Sequence, residues 1–251
     1  MPFVRHLDAD LFYRAGGRPS APALLLLHGG LGSAEDFAAV LPELLRHFFV
    51  VETDTRGHGR STRGTADLTY AQIADDAGQV VRALDLQEYH VLGFSDGGTA
   101  AYRLAAADAR AKSVLTVGAS WHSRQLAPVR EMFEGLDAAF FRENMPEQAA
   151  AYETLNPQPD LAALAADLKR LWLDVSDTGY PDEAVSRIAA PVLAVRGEGD
   201  FLFSLNDLAD LHTVLPEAHL MNVPFARHEV LKEQPEIFWA AARAFYGLQT
   251  V

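Results

Sequence analysis

At 251 residues the chain is long enough for one large α/β domain carrying an insertion. Its net charge of −13 argues against a nucleic-acid backbone as partner and offers no attraction to an anionic membrane surface. With no cysteine in the chain, disulfides, zinc–thiolate sites and thiol nucleophiles are excluded. Met1 to Asp10 carries Arg5, Asp8 and Asp10 and lacks the apolar core of a signal peptide. The longest apolar run, around Ala21 to Leu27, is far too short to span a bilayer. The expected compartment is therefore the cytoplasm.

Phe3 to Leu7 and Asp10 to Arg14 read as two short strands ahead of a Gly16-Gly17 turn. Ala23 to Leu27 is continuously apolar, as a strand buried on both faces requires, and Phe48 to Glu52 is a second such run. Between them the pattern predicts one helix from about Glu35 to His47. Tyr70 to Leu84 places Ile73, Ala77, Val80, Val81 and Leu84 at helical spacing. A short strand, Tyr89 to Leu92, then leads through a turn into a small-residue helix, Gly98 to Ala107, and a strand at Ser113 to Val117. The alternation resumes at Pro191 to Val195, with a helix near Leu205 to Leu215, a strand at His219 to Val223 and a helix from Pro235 to about Phe245. It implies βαβ units, hence a mostly parallel sheet with helices on both faces.

Between Ser120 and Arg187 the strand signal vanishes. This stretch is rich in Ala and Leu and is broken by Pro128, Pro146, Pro157, Pro159 and Pro181. The expected organisation is a core of residues 1–120 and 188–251 with a helical cap inserted at 121–187.

Gly93-Phe94-Ser95-Asp96-Gly97 lies between a strand and a helix, the context in which G-x-S-x-G forms a nucleophile elbow. A serine hydroxyl needs a base to take its proton, and a carboxylate to fix the base's tautomer. Asp200 fits the acid, at the end of Arg196-Gly197-Glu198-Gly199-Asp200 after the penultimate strand. His228 fits the base, after the last strand. An oxyanion would be held by the backbone amide of Asp96 and by one from His28-Gly29-Gly30-Leu31-Gly32-Ser33, with Gly30 ahead of Leu31. Asp54-Thr55-Arg56-Gly57-His58-Gly59-Arg60-Ser61 lacks the lysine and spacing of a phosphate loop. No histidines share an element at ligand spacing, so no metal is expected, and no cofactor.

These motifs, in this order, resemble the α/β-hydrolase superfamily of serine hydrolases. Within it the chain is similar to the valacyclovir-hydrolase family of α-amino-acid ester hydrolases, through Leu31-Gly32-Ser33 and Gly93-Phe94-Ser95-Asp96-Gly97-Gly98. That family has Trp where this chain has Phe94. The resemblance implies hydrolysis of a small-molecule ester through an acyl-enzyme, and it assigns Asp96 to binding a substrate ammonium group. The alternative for Asp96 is a structural bond, with Arg56 or Arg124 as candidate partner. Leu31, Trp121 and Trp172 are the further expected substrate contacts, with Trp121 as pocket wall. The superfamily also includes amidases, lactonases, C–C bond hydrolases and receptors without turnover, which the fold alone does not separate.

Overall fold

The computed structural model describes residues 2–249. Eight strands form one sheet: β1 (Phe3–His6), β2 (Ala9–Gly16), β3 (Ala23–Leu27), β4 (Phe49–Thr53), β5 (Tyr89–Phe94), β6 (Ala111–Val117), β7 (Val192–Gly197) and β8 (His219–Val223). Their order is β1-β2-β4-β3-β5-β6-β7-β8. The β1–β2 and β2–β4 pairs are antiparallel, and every other pair is parallel. From β3 the chain steps outward to β4, then crosses back to β5 on the other side of β3. Loops leaving the carboxyl ends of β3 and β5 therefore diverge there, at a topological switch point, which is where open α/β sheets form their crevice.

All five residues of β3 are buried because both sheet faces are covered. Leu25 and Leu27 pack with Ile73, Ala77 and Val81 of α2 (Tyr70–Ala83) and with Ala101 of α3 (Asp96–Ala107). Leu24 and Leu26 pack on the opposite face with Leu44 of α1 (Leu41–His47) and Phe238 of α10 (Pro235–Phe245). The helix expected from Glu35 to His47 is two pieces, a 3-10 turn at Ala34–Phe37 and α1. Pro42 is the reason: it lacks an amide hydrogen and its ring clashes with a preceding carbonyl, so it is tolerated only in a helix's first turn, where it stands.

Between β6 and β7 lie α4 (Arg130–Glu134), α5 (Ala138–Asn144), α6 (Pro146–Leu155) and α7 (Leu161–Leu173), with 3-10 turns at Ser123–Leu126 and Asp182–Arg187. Pro146 opens α6. The loop after β4 anchors these helices. The Asn156 amide donates toward the carbonyls of Gly57, Gly59 and Ser61 at 3.0–3.4 Å, and Arg63 pairs with Asp167 of α7. After β7 come α8 (Leu205–Val214), β8, α9 (Val230–Glu233) and α10. Among the described residues, no helix is long and apolar enough to cross a membrane.

Candidate active site

The turn from β5 into α3 sets the geometry. Ser95 sits at φ 51° and ψ −118°, a backbone region costing of order 1–3 kcal/mol for a residue with a side chain. Glycine makes the turn possible. A Cβ at Gly97 would collide with the Leu27 carbonyl, and one at Gly93 would meet the backbone of Gly97 and Gly98. The helix therefore starts directly after Ser95, whose hydroxyl stands at the carboxyl end of β5.

Two loops from distant parts of the chain meet it. The His228 Nε2 lies 3.0 Å from Ser95 Oγ, and Nδ1 lies 2.9 Å from Asp200 Oδ2. Asp200 is buried, and its Oδ1 accepts from the backbone amides of Leu202 and Phe203. The buried Arg196 guanidinium donates to the carbonyls of Glu198, Asp200 and Phe203, which fixes the loop carrying the acid. Sequence reasoning did not single out Arg196. A buried arginine at a strand end, preceding an acid loop, is the signal that points to it. Gly118 (φ 60°) leaves room for the imidazole, since a Cβ there would be 2.8 Å from His228 Cε1.

Among the described residues, the backbone amides of Gly30 and Asp96 find no acceptor. Gly30 lines a cleft of about 730 Å³ in front of Ser95 and His228. The cleft's apolar wall is largely Met132, Phe133, Leu136, Phe140 and Phe141. A second compartment of only about 60 Å³ opens from the same two residues. Asp96, Tyr70, Gln125 and Tyr180 line this small compartment and not the wide cleft, whereas Trp172 lines both.

Asp96 is buried. Its Oδ1 accepts from the Tyr70 hydroxyl at 2.8 Å, and both its oxygens accept from the Trp172 indole at 2.8–2.9 Å. Burial raises the Asp96 pKa, opposed by these two hydrogen bonds. Burial, reinforced by the Asp96 charge, holds the Tyr70 phenol well above its usual range, so it remains a donor. Neither candidate arginine reaches Asp96: Arg56 forms a two-bond pair with Asp76, and Arg124 lies over the Trp121 ring. Among the described residues, Asp96 has no salt-bridge partner at all.

Two expected substrate contacts stand elsewhere. Trp121 is fully buried and lines neither compartment; its indole donates to the Asp207 carbonyl at 3.0 Å, the partner a buried indole N–H requires. Leu31 has a left-handed backbone, φ 57°, and its side chain joins the core and a separate recess with Tyr152 and Leu155. Tyr70, Gln125 and Tyr180 were not anticipated at the site. Tyr70 reads in sequence as an ordinary first-turn helix residue, and Gln125 falls within the expected helical cap, where no motif marks it. His28 stands at the end of β3 as a scaffold: Nδ1 donates to the Gly29 carbonyl at 2.7 Å, and Nε2 accepts from the Thr55 amide at 2.9 Å.

The strand order, the turn at Ser95 and the residues that converge on it define an α/β hydrolase. The model of the alpha/beta hydrolase fold family matches residues 22–172, and the chain belongs to that family. It is 30% identical over 260 residues to the "Putative carbamate hydrolase RutD" of Caulobacter sp. (strain K31), with 92% of each chain covered. A shorter match, 38% identical over 108 residues, is to the "Bifunctional esterase/perhydrolase DCH" of Acinetobacter calcoaceticus, covering 42% of this chain and 39% of the relative. The crystal structure of a hydrolase from Pseudomonas aeruginosa PA01 superposes with a TM-score of 0.74 at 25% identity over 98% of each chain.

Proposed function

We propose that the protein is a serine hydrolase of small carboxylic esters, with α-amino-acid esters as its substrate class. The observation that carries the hydrolytic reading is the continuous chain of contacts from Ser95 Oγ through His228 to Asp200, beside two amides without acceptors. Ser95 Oγ bonds to the ester carbonyl carbon as His228 Nε2 takes its proton. The Gly30 and Asp96 amides stabilise the resulting oxyanion, each by roughly 3–4 kcal/mol. The carbon–oxygen bond to the alcohol then breaks, and His228 returns the proton to the departing oxygen. Water repeats the sequence in reverse, giving a proton to His228 and its oxygen to the acyl carbon, and Ser95 leaves with the proton. Asp200 orients the imidazole and stabilises its charged form. The esterase named among the relatives is consistent with this chemistry. Residues 121–187 act as a cap that shapes the space for the substrate.

The amino-acid ester assignment rests on Asp96. A buried carboxylate without a cationic partner is costly, and a substrate ammonium group supplies the missing charge. The residue after the nucleophile is well placed for this, because its amide faces the oxyanion while its side chain enters the small compartment. The family resemblance to the valacyclovir-hydrolase group assigns the same role. The test is kcat/KM for L-alanine benzyl ester against benzyl propionate. A tenfold or greater preference for the amino ester, about 1.4 kcal/mol, is expected. Equal rates return Asp96 to a structural role and leave a general esterase. No turnover of either ester overturns the hydrolytic reading.

A further inference from the structure

One side chain lining the small compartment carries a buried polar atom with no role so far. Gln125 is 3% exposed, and among the described residues its Nε2 has no hydrogen-bond partner. The orientation of the carboxamide is fixed by its other end. Oε1 accepts from the backbone amides of Trp121 at 2.9 Å and His122 at 3.1 Å, so a flipped group would set N–H against N–H. The donor edge is therefore turned away from that backbone, in a side chain that lines the compartment beside Ser95 and Asp96. A buried donor left unpaired is rare in folded proteins, and such groups call for a partner.

We infer that Gln125 Nε2 is a specificity-determining donor that reads an oxygen acceptor on the acyl side chain, while Asp96 holds the α-ammonium group. This rests on the ester-hydrolase reading above. The acyl half belongs in this compartment because the Asp96 carboxylate lines it and does not line the wide cleft. About 60 Å³ admits roughly four to six heavy atoms beyond the carbonyl, at about 10–15 Å³ each. A second anion is excluded by Asp96 itself, which leaves a neutral oxygen. The substrate class so defined is esters of short α-amino acids with a hydroxyl or ether oxygen on the β-carbon. The alcohol half, large and apolar, occupies the wide cleft.

The test uses three benzyl esters: L-alanine as the reference, and O-methyl-L-serine with L-norvaline as a pair differing only by an oxygen in place of a methylene. The ether oxygen accepts and cannot donate, so it reports on the Gln125 donor alone. The variant is Gln125→Glu, which keeps an oxygen for the Trp121 and His122 amides and puts an acceptor where Nε2 stood. In the wild type, kcat/KM for the O-methylseryl ester is expected to exceed that for the norvalyl ester at least tenfold. In Gln125→Glu the ratio is expected to fall at least tenfold. A wild-type ratio near one overturns the inference even if the variant fails to fold, and so does a ratio that the variant leaves unchanged. Turnover of the alanyl ester in those cases leaves the esterase reading standing. No turnover of the alanyl ester removes both.

Discussion

On the proposed mechanism Ser95 and His228, in contact through Oγ and Nε2, act as a unit, so loss of either removes the same chemistry. Ser95→Ala and His228→Ala are each expected to lower kcat on the alanyl ester by at least about 10⁴-fold, measured by benzyl alcohol release. Asp96 gives a different signature. Burial raises its pKa, so the carboxylate gains its proton at a higher pH than an ordinary aspartate as the solution is acidified. A protonated carboxyl offers no charge to an ammonium group. The amino-ester preference is therefore expected to fall with falling pH above the usual carboxylate range, and to be small and flat in Asp96→Asn. A preference in Asp96→Asn equal to that of the wild type would sink the assignment. That Ser95, Asp200 and His228 come together was legible in the sequence because each follows a strand in the expected chain order, even though the last strand, His219–Val223, is a mixed run. Trp121 misled for a related reason: its place after β6 suggested the site, while its direction is decided by a carbonyl on α8. Tyr70 and Gln125 were illegible because burial and partners, not spacing, place them beside Ser95 and Asp96.

At the level of elements, the elbow depends on close backbone approach. Gly97→Ala places a methyl group against the Leu27 carbonyl. It is expected to cost about 3 kcal/mol or more in urea unfolding, as overpacking at a rigid site does. The helical insertion depends on a polar clamp. Asn156 is buried, and its amide serves three carbonyls of the loop after β4. Asn156→Ala strands those carbonyls and is expected to lower stability by about 1–3 kcal/mol, with earlier proteolysis between α6 and α7. Unchanged stability and proteolysis would show that the clamp is dispensable. The strands and core helices were readable because β3 to β8 alternate with helices at strong period. The break at Pro42 was present in the sequence too, but leucines on both sides of it gave the look of one helix. The clamp was not readable, since Asn156 and its partners are nearly a hundred residues apart.

For the whole molecule, acid stability has an identifiable weak point. His58 is buried, its Nε2 has no partner among the described residues, and burial, followed by the nearby His28, pushes its pKa down to about 3 from 6.5. The unfolded chain then binds a proton below pH 6.5 that the folded chain refuses until about pH 3. Stability is lost as pH falls through that window, by about 2 kcal/mol between pH 6.5 and about pH 5. His58→Asn keeps a donor for the Arg56 carbonyl and does not titrate, so its urea midpoint is expected to change less over the same interval. Two unequal spaces meet at Ser95 and His228, and on the proposed mechanism they also govern the second half of the reaction. On the hydrolase reading, the alcohol departs into the wide cleft while the acyl group stays locked in the narrow one. The vacated cleft then admits any apolar alcohol in solution, which competes with water for the bound acyl group. Such an enzyme is a transferase in waiting: added alcohol diverts product from free acid to a new ester in proportion to its concentration, and the free acid, not the alcohol, is the product that lingers and inhibits.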